Sequence, residues 1–289
     1  VTKPAIAILI DREDWHATAL MRAFAEAGAD PAAYRLSEIA FTTTEQCGMR
    51  FPNRITPQAV VARQIDNGSF EQVTRRLSIL HALRERGVPV VNDARAIERC
   101  VDKSMTCFLL QQSGIPTPPG WTVEGKEAAL AIMREHGGKM VLKPLFGSQG
   151  RGLQLVNTPE DLPEEDAVAN VYHLQQFVPV AGEGFHDHRI LVCFGEPVAA
   201  MTRTAEHWIT NLHLGAKPSR YTPSHALASL AVRAADSVGA QLAGVDILFG
   251  RDGTPYVLEV NSMPGWRGLQ TVSDVNISAH LAACVLRLL

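Results

Sequence analysis

The chain has 289 residues, 46% of them apolar and 20% charged, with a net charge of −3. That length is comfortable for two or three domains, and the near-neutral balance leaves no basic excess to hold a nucleic acid. The five cysteines, at positions 47, 100, 107, 193 and 284, are scattered and lack C-x-x-C spacing. This argues against a disulfide framework or a cysteine zinc site, and for reduced, mostly structural thiols in a cytoplasmic protein. No stretch approaches the length of a membrane span, and the N-terminal PAIAILI is too short for a signal segment.

Ala5–Ile10 has strand character, and Ala17, Leu20, Met21, Phe24 and Ala25 follow helical spacing up to Gly28. Residues 41–58 lack a clear period and are expected as a loop or irregular hairpin before AVVAR (59–63), a buried strand. GSFEQVTRRLSILHALRERG is the clearest helix. Ser69 and Gln72 have capping-box spacing, Phe70, Val73, Leu77 and Leu80 make its apolar stripe, and Gly87 ends it. With VPVVN as a further strand, residues 1–98 read as a small open α/β domain. A helix beginning near Asp102 stops at SGIPTPPGW (113–121), a hinge or linker by composition. Then come a helix at about 125–136, the strand KMVLKP, the glycine-rich FGSQGRGLQLV, the strand VYHLQQFV, and a hairpin turning at Gly195. A helix at about 224–241 precedes the last two strands.

Those strands lie in AGVDILFGRDGTPYVLEVNS. Asp252-Gly253 favours a two-residue hairpin turn, which sets Arg251 opposite Thr254 and Asp246 opposite Glu259. Asp246, Glu259 and Asn261 then share one face. Two opposed carboxylates need a positive group between them, and with an amide oxygen they suit Mg²⁺; exposed polar residues on a solvated hairpin are the alternative. In KPLFGSQGRG, Gly147, Gly150 and Gly152 allow backbone N–H groups to approach a phosphate, and Lys143 adds a point charge. A plain glycine-rich turn is the competing reading. Lys103, in VDKS, sits early in a helix that would otherwise repel it.

Seven segments in order, VDKS, MVLKPLFGSQGRGLQLV, LQQFV, HDHRILVCFGEPVAAMTR, WITNLHLGAKP, AGVDIL and VLEVNSMPGWRGLQ, resemble the ATP-grasp superfamily and its RimK-type amino-acid ligases, from about residue 4 to 289. GSFEQVTRRLSILHAL, NDARAIERCVDKS, WITN and PGWRGLQ look most similar to ligases that add glutamate to a small cofactor such as tetrahydromethanopterin. The resemblance implies an α/β and α+β chain with the ATP-grasp fold. Its parts would be a Rossmann-like pre-ATP-grasp domain (1–98), a linker helix with the small central lobe (99–174), and a C-terminal lobe with a magnesium site (175–289).

It further implies roles by position. Lys103 and Lys143 would contact phosphates, under a loop of Gly147, Ser148, Gln149, Gly150, Arg151 and Gly152. The hinge Gln175, Gln176, Phe177 and Val178 would meet adenine through its backbone, with Asp187 near the ribose. Asp246, Glu259 and Asn261 would hold the metal; Arg63 and Arg203 would face the acceptor or the acyl phosphate, with Asn211 in the same pocket. The sequence departs from the family at Gln175-Gln176, where Gln-Glu is common, and at Ile209, where an arginine is common; Arg151, Lys217 and Arg220 are candidate replacements for that charge.

The implied activity is ATP-dependent ligation of an acceptor carboxylate, through an acyl phosphate, to the amine of L-glutamate. ATP and Mg²⁺ (or Mn²⁺) would serve as cofactors and a small-molecule carboxylate as acceptor, in a cytoplasmic homo-oligomer of two or four chains that binds neither nucleic acid nor membrane. Ligation to a protein C-terminus and a non-catalytic ATP-binding regulator are the alternatives. His186 and His188 lie on one strand face without a third ligand, and read as packing residues. Trp208 and Trp266 are either pterin-stacking rings or buried anchors.

Overall fold

The computed structural model describes residues 2–45, 47–147 and 150–289, so Ser148 and Gln149 of the glycine-rich loop lie outside the described residues. The chain opens with β1 (Ala5–Ile10), α1 (Trp15–Glu26), β2 (Asp30–Arg35), the short pair β3 (Ala40–Phe41) and β4 (Met49–Arg50), β5 (Ala59–Ala62), α2 (Phe70–Glu85), β6 (Val90–Val91) and α3 (Ala94–Val101). β2-β1-β5-β6 form a parallel sheet. The unbroken apolar runs of β1 and β5 are what a sheet covered on both faces requires. α2 starts at the expected Ser69–Gln72 capping box, but its expected stripe is displaced: Phe70 is 82% exposed, and the buried face is Arg76, Ile79, Leu80 and Leu83. The guanidinium of Arg76 donates to the Asp66 and Asn67 carbonyls, so a charged residue occupies part of the buried face.

Next come α4 (Lys103–Gln112), β7 (Gly120–Glu124), α5 (Lys126–His136), β8 (Met140–Lys143), β9 (Gln154–Val156) and β10 (Val171–Gln176). The strands make a small antiparallel sheet in the order β7-β10-β8-β9 around Met133, Leu142, Tyr172 and Leu174. Within the proline-rich segment expected as a hinge or linker, Ile115 is buried and the Pro116 carbonyl accepts from Val257 N–H.

The third sheet is built from β11 (Phe185–Cys193), β12 (Glu196–Ala205), β13 (Lys217–Arg220), β14 (Leu242–Phe249) and β15 (Pro255–Asn261), in the order β13-β12-β11-β14-β15, with α6 (His225–Val238), α7 (Arg267–Gln270) and α8 (Ile277–Leu286). β11 and β12 join through Phe194-Gly195, both at positive φ, with Cys193 opposite Glu196; this is the two-residue turn that matches strand twist. Ile190, Val192, Val245 and Ile247 face α6. Leu191 and Leu242 face the other way, into a core that also holds Ile6, Leu20 and Phe24 from the N-terminal sheet and Leu281 and Val285 from α8. Buried Asn92 strengthens this junction, donating to the Leu242 and Ser262 carbonyls and accepting from the N–H groups of Gln241 and Leu242.

The last hairpin corrects the register argument while keeping its result. Gly250 and Thr254 close a three-residue loop with Gly253 at φ +79°, and Pro255 faces Phe249, one position away from the two-residue arrangement. An extra residue, Leu258, then bulges out of β15 and restores the register, so Asp246 does face Glu259. No helix among the described residues is long and apolar enough to cross a membrane.

Candidate active site

A cleft separates the small sheet from the third sheet, and Lys143, Gly150, Asp187, Arg203, Asp246 and Glu259 all line it. At one end Lys103, Lys143, Gly147, Gly150, Arg151 and Glu259 converge. Asp102 caps α4 through its carboxylate, which orients the helix so that Lys103 Nζ donates to the Leu145 and Gly147 carbonyls at 3.3 and 3.2 Å. Lys103 thus holds the base of the glycine loop. Burial pushes the Lys143 and Lys103 pKa values down, opposed in both by the Glu259 carboxylate. Among the described residues neither the Lys143 ammonium nor the Glu259 carboxylate has a hydrogen bond or ion pair. The Leu258 bulge turns both Leu258 and Glu259 into the cleft.

The wall beside them is a closed charge network. Arg203 is inserted between two carboxylates, with Nε donating to Asp187 Oδ1 at 2.7 Å and Nη2 reaching Asp246 Oδ2 at 2.9 Å. Arg189 grips Asp246 with two bonds of 2.6 Å, and Thr210 donates to Asp187 at 2.7 Å. Burial alone would raise the Asp246 pKa, but Arg189 and Arg203 outweigh it and hold it lowered; for Asp187 burial wins and the pKa is raised. The positive partner that Asp246 needs is therefore arginine.

Arg189 was missed from sequence. Its signal was available: Asp187 and Arg189 alternate along β11 and face Arg203 and Asp246 across the two neighbouring strands, the same cross-strand logic that paired Asp246 with Glu259.

Arg63 lies elsewhere, at the end of β5, where it contacts the segment that follows β15. Its guanidinium stacks 4.5 Å over the Trp266 ring, and its buried Nε and Nη1 have no hydrogen-bond partner. Burial lowers its pKa to about 10. His16 beside it accepts from the N–H groups of Trp266 and Arg267 at Nε2, and pairs with Asp14 through Nδ1, which fixes a neutral ring protonated on Nδ1. Trp266 is fully buried, an anchor rather than a free stacking surface; Trp208 lines the cleft, edge-on to Phe177.

Asn211 accepts from His213 N–H at 2.8 Å and stands at the cleft beside the glycine loop. Gly150, at φ +72°, rests on this segment: a Cβ there would meet Ile209 Cγ2 at 3.0 Å and Leu214 Cδ1 at 3.4 Å. Ile209 thus puts an apolar side chain against Gly150 where the resemblance leads to an expected arginine. Lys217 and Arg220 lie on β13, where Arg220 pairs with Asp274, and neither lines the cleft.

At the other end of the cleft run Gln175, Gln176, Phe177 and Val178. Gln175 is within the β10 ladder, Gln176 N–H donates to the Pro119 carbonyl and Phe177 N–H to the Lys139 carbonyl. Among the described residues Val178 N–H alone of these four has no backbone partner. The donor set also fits a hard cation. Asn261 Nδ2 donates to the Gly244 carbonyl, which leaves its Oδ1 free to coordinate; Glu259 is unpaired, and Asp246 Oδ1 accepts only from Arg189 and keeps a lone pair. His188, by contrast, bonds Thr202 and stacks on Tyr221, a packing residue as expected.

A RimK-like ATP-grasp domain matches residues 100–285. The chain belongs to the RimK-like ATP-grasp family. Within it, the tetrahydromethanopterin:alpha-L-glutamate ligase of Methanococcus maripaludis is 31% identical over 280 residues, 95% of each chain. The alpha-aminoadipate–LysW ligase LysX of Saccharolobus solfataricus is 30% identical over 232 residues, covering 75% of this chain and 83% of its own. The ATP-grasp ligase PsnB, solved with a phosphomimetic variant of a minimal precursor, Mg and ADP, superposes with a TM-score of 0.76 at 21% identity, covering all of this chain and 99% of its own. The fold is ATP-grasp, and the chain is an ATP-dependent carbon–nitrogen ligase of this family.

Proposed function

We propose that the protein transfers the γ-phosphoryl group of ATP to an acceptor carboxylate and joins the resulting acyl phosphate to the amine of L-glutamate, with a pterin-type cofactor as acceptor. The observation that carries this reading is the convergence of two opposite charges, Lys143 and Glu259, neither held in a hydrogen bond or ion pair, beside a glycine loop in one cleft. Lys143 would neutralise charge developing on the transferred phosphoryl oxygens, and Lys103 would hold the loop carbonyls in place around them. Asp246, Glu259 and Asn261 would hold magnesium, which supplies further positive charge to those oxygens when bound. Val178 N–H is the donor left for adenine. Arg63, buried with two unpaired N–H-bearing nitrogens, would bind an anionic oxygen on the acceptor side. The loop seated on Ile209 would exclude water, which would otherwise hydrolyse the acyl phosphate.

The acceptor class rests on the full-length likeness to the methanogen ligase. The test is mass spectrometry after incubation with ATP, Mg²⁺, glutamate and a panel of acceptors. Gain of a glutamyl unit on a reduced pterin cofactor bears the proposal out; gain only on a protein C-terminus moves the substrate class and keeps the chemistry. ATP binding with no product on any acceptor contradicts it.

A further inference from the structure

Sequence spacing gives no cysteine metal site, yet the fold assembles one set of soft ligands far from the cleft. Cys193 ends β11; His280 and Cys284 lie one turn apart on the same side of α8. The two sulfurs and an imidazole nitrogen lie within 4.8 Å of one another, and no other such group of three occurs among the described residues. Both cysteines are buried and outside any disulfide. Nε2 of His280 is buried without a hydrogen-bond partner, an unmet polar group that a cation would satisfy.

We propose that Cys193, His280 and Cys284 form a Zn²⁺ site that clasps the last helix to the third sheet. Zinc–sulfur bonds of about 2.3 Å in a tetrahedron place ligand atoms about 3.8 Å apart, so the three atoms need to close by at most about 1 Å. Binding releases the two thiol protons and gives two thiolates and a neutral imidazole, with the fourth position open to water. Arg287 Nη2 already donates to Cys284 Sγ at 3.0 Å and would stabilise that sulfur as a thiolate. Cys193 is six residues along β11 from Asp187, about 20 Å of strand, which makes the site structural.

The reduced full-length chain, stripped of metal and kept free of ATP, is titrated with Zn²⁺ against a chromophoric chelator, and with Co²⁺ to read sulfur-to-metal charge transfer. The expected result is one tight equivalent, a sulfur-to-cobalt band, a melting temperature that rises with free Zn²⁺, and affinity about 100-fold weaker in both Cys193→Ser and Cys284→Ser. Cys47→Ser and Cys107→Ser should bind as the parent does. If the thiol variants fail to fold, His280→Gln, at a partly exposed position, must still lose affinity. Absence of tight binding, or a charge-transfer band that survives in the Cys193, Cys284 and His280 variants, overturns the proposal. No step uses ATP or an acceptor, so the outcome is separate from that of the ligase assay.

Discussion

Two buried arginines set apart the part of the molecule that is complete from the part that awaits a ligand. Arg203 lies between Asp187 and Asp246 with its charge answered on both sides; Arg63 is equally buried, yet two of its nitrogens donate to nothing. A satisfied buried ion pair specifies structure, whereas an orphaned guanidinium is tolerated where substrate completes it. Substitution should separate the two. Arg203→Met leaves two carboxylates facing each other and should cost about 3–5 kcal/mol in urea denaturation. Arg63→Met removes a buried guanidinium with two unpaired nitrogens, so it should leave stability unchanged or higher, and lower acceptor-dependent turnover by about 100-fold. Equal destabilisation by both would erase the distinction.

Lys143 and Glu259 extend the comparison into the cleft, since neither is committed to the fold. Lys143→Ala and Glu259→Ala should each reduce ligation by about 10²–10³-fold with little change in melting temperature; a variant with full activity would remove that residue from the chemistry. A smaller effect is expected from Gly150→Ala, whose Cβ meets Ile209 at 3.0 Å with the backbone at φ +72°: about tenfold slower turnover, partly recovered by pairing it with Ile209→Ala.

The gentlest effect is on pH. His173 and His188 are held neutral by burial, with pKa values lowered to about 4 from an ordinary 6.5. The unfolded chain takes up these protons first, so stability is complete above pH 6.5, falls as pH drops towards about 4, and levels off below. His173→Gln and His188→Gln should each flatten that decline in denaturation curves measured across the window; a decline of unchanged slope would contradict the assignment.

Much of this was legible in sequence, for identifiable reasons. The capping box at Ser69 and the Phe194-Gly195 turn are local devices, and both stand where expected. The pairing of Asp246 with Glu259 was reached, although a longer loop and the Leu258 bulge cancel to produce it; turn type and bulges depend on tertiary packing that pattern does not carry. Phe70 misled because helical period marks a stripe without saying which turn meets the core. Arg189, which grips Asp246, and the cluster of Cys193 with His280 and Cys284 were missed because both are assembled across strands and helices distant in the chain; Arg203 was named, but for the acceptor and not as a partner of Asp246.

The central claim is phosphorylation of an acceptor carboxylate in the cleft, and an acceptor whose carboxylate carries heavy oxygen tests it most directly. An acyl phosphate route predicts that, per glutamyl bond formed, one labelled oxygen leaves in inorganic phosphate and ATP becomes ADP. Unlabelled phosphate, or formation of AMP, would contradict it.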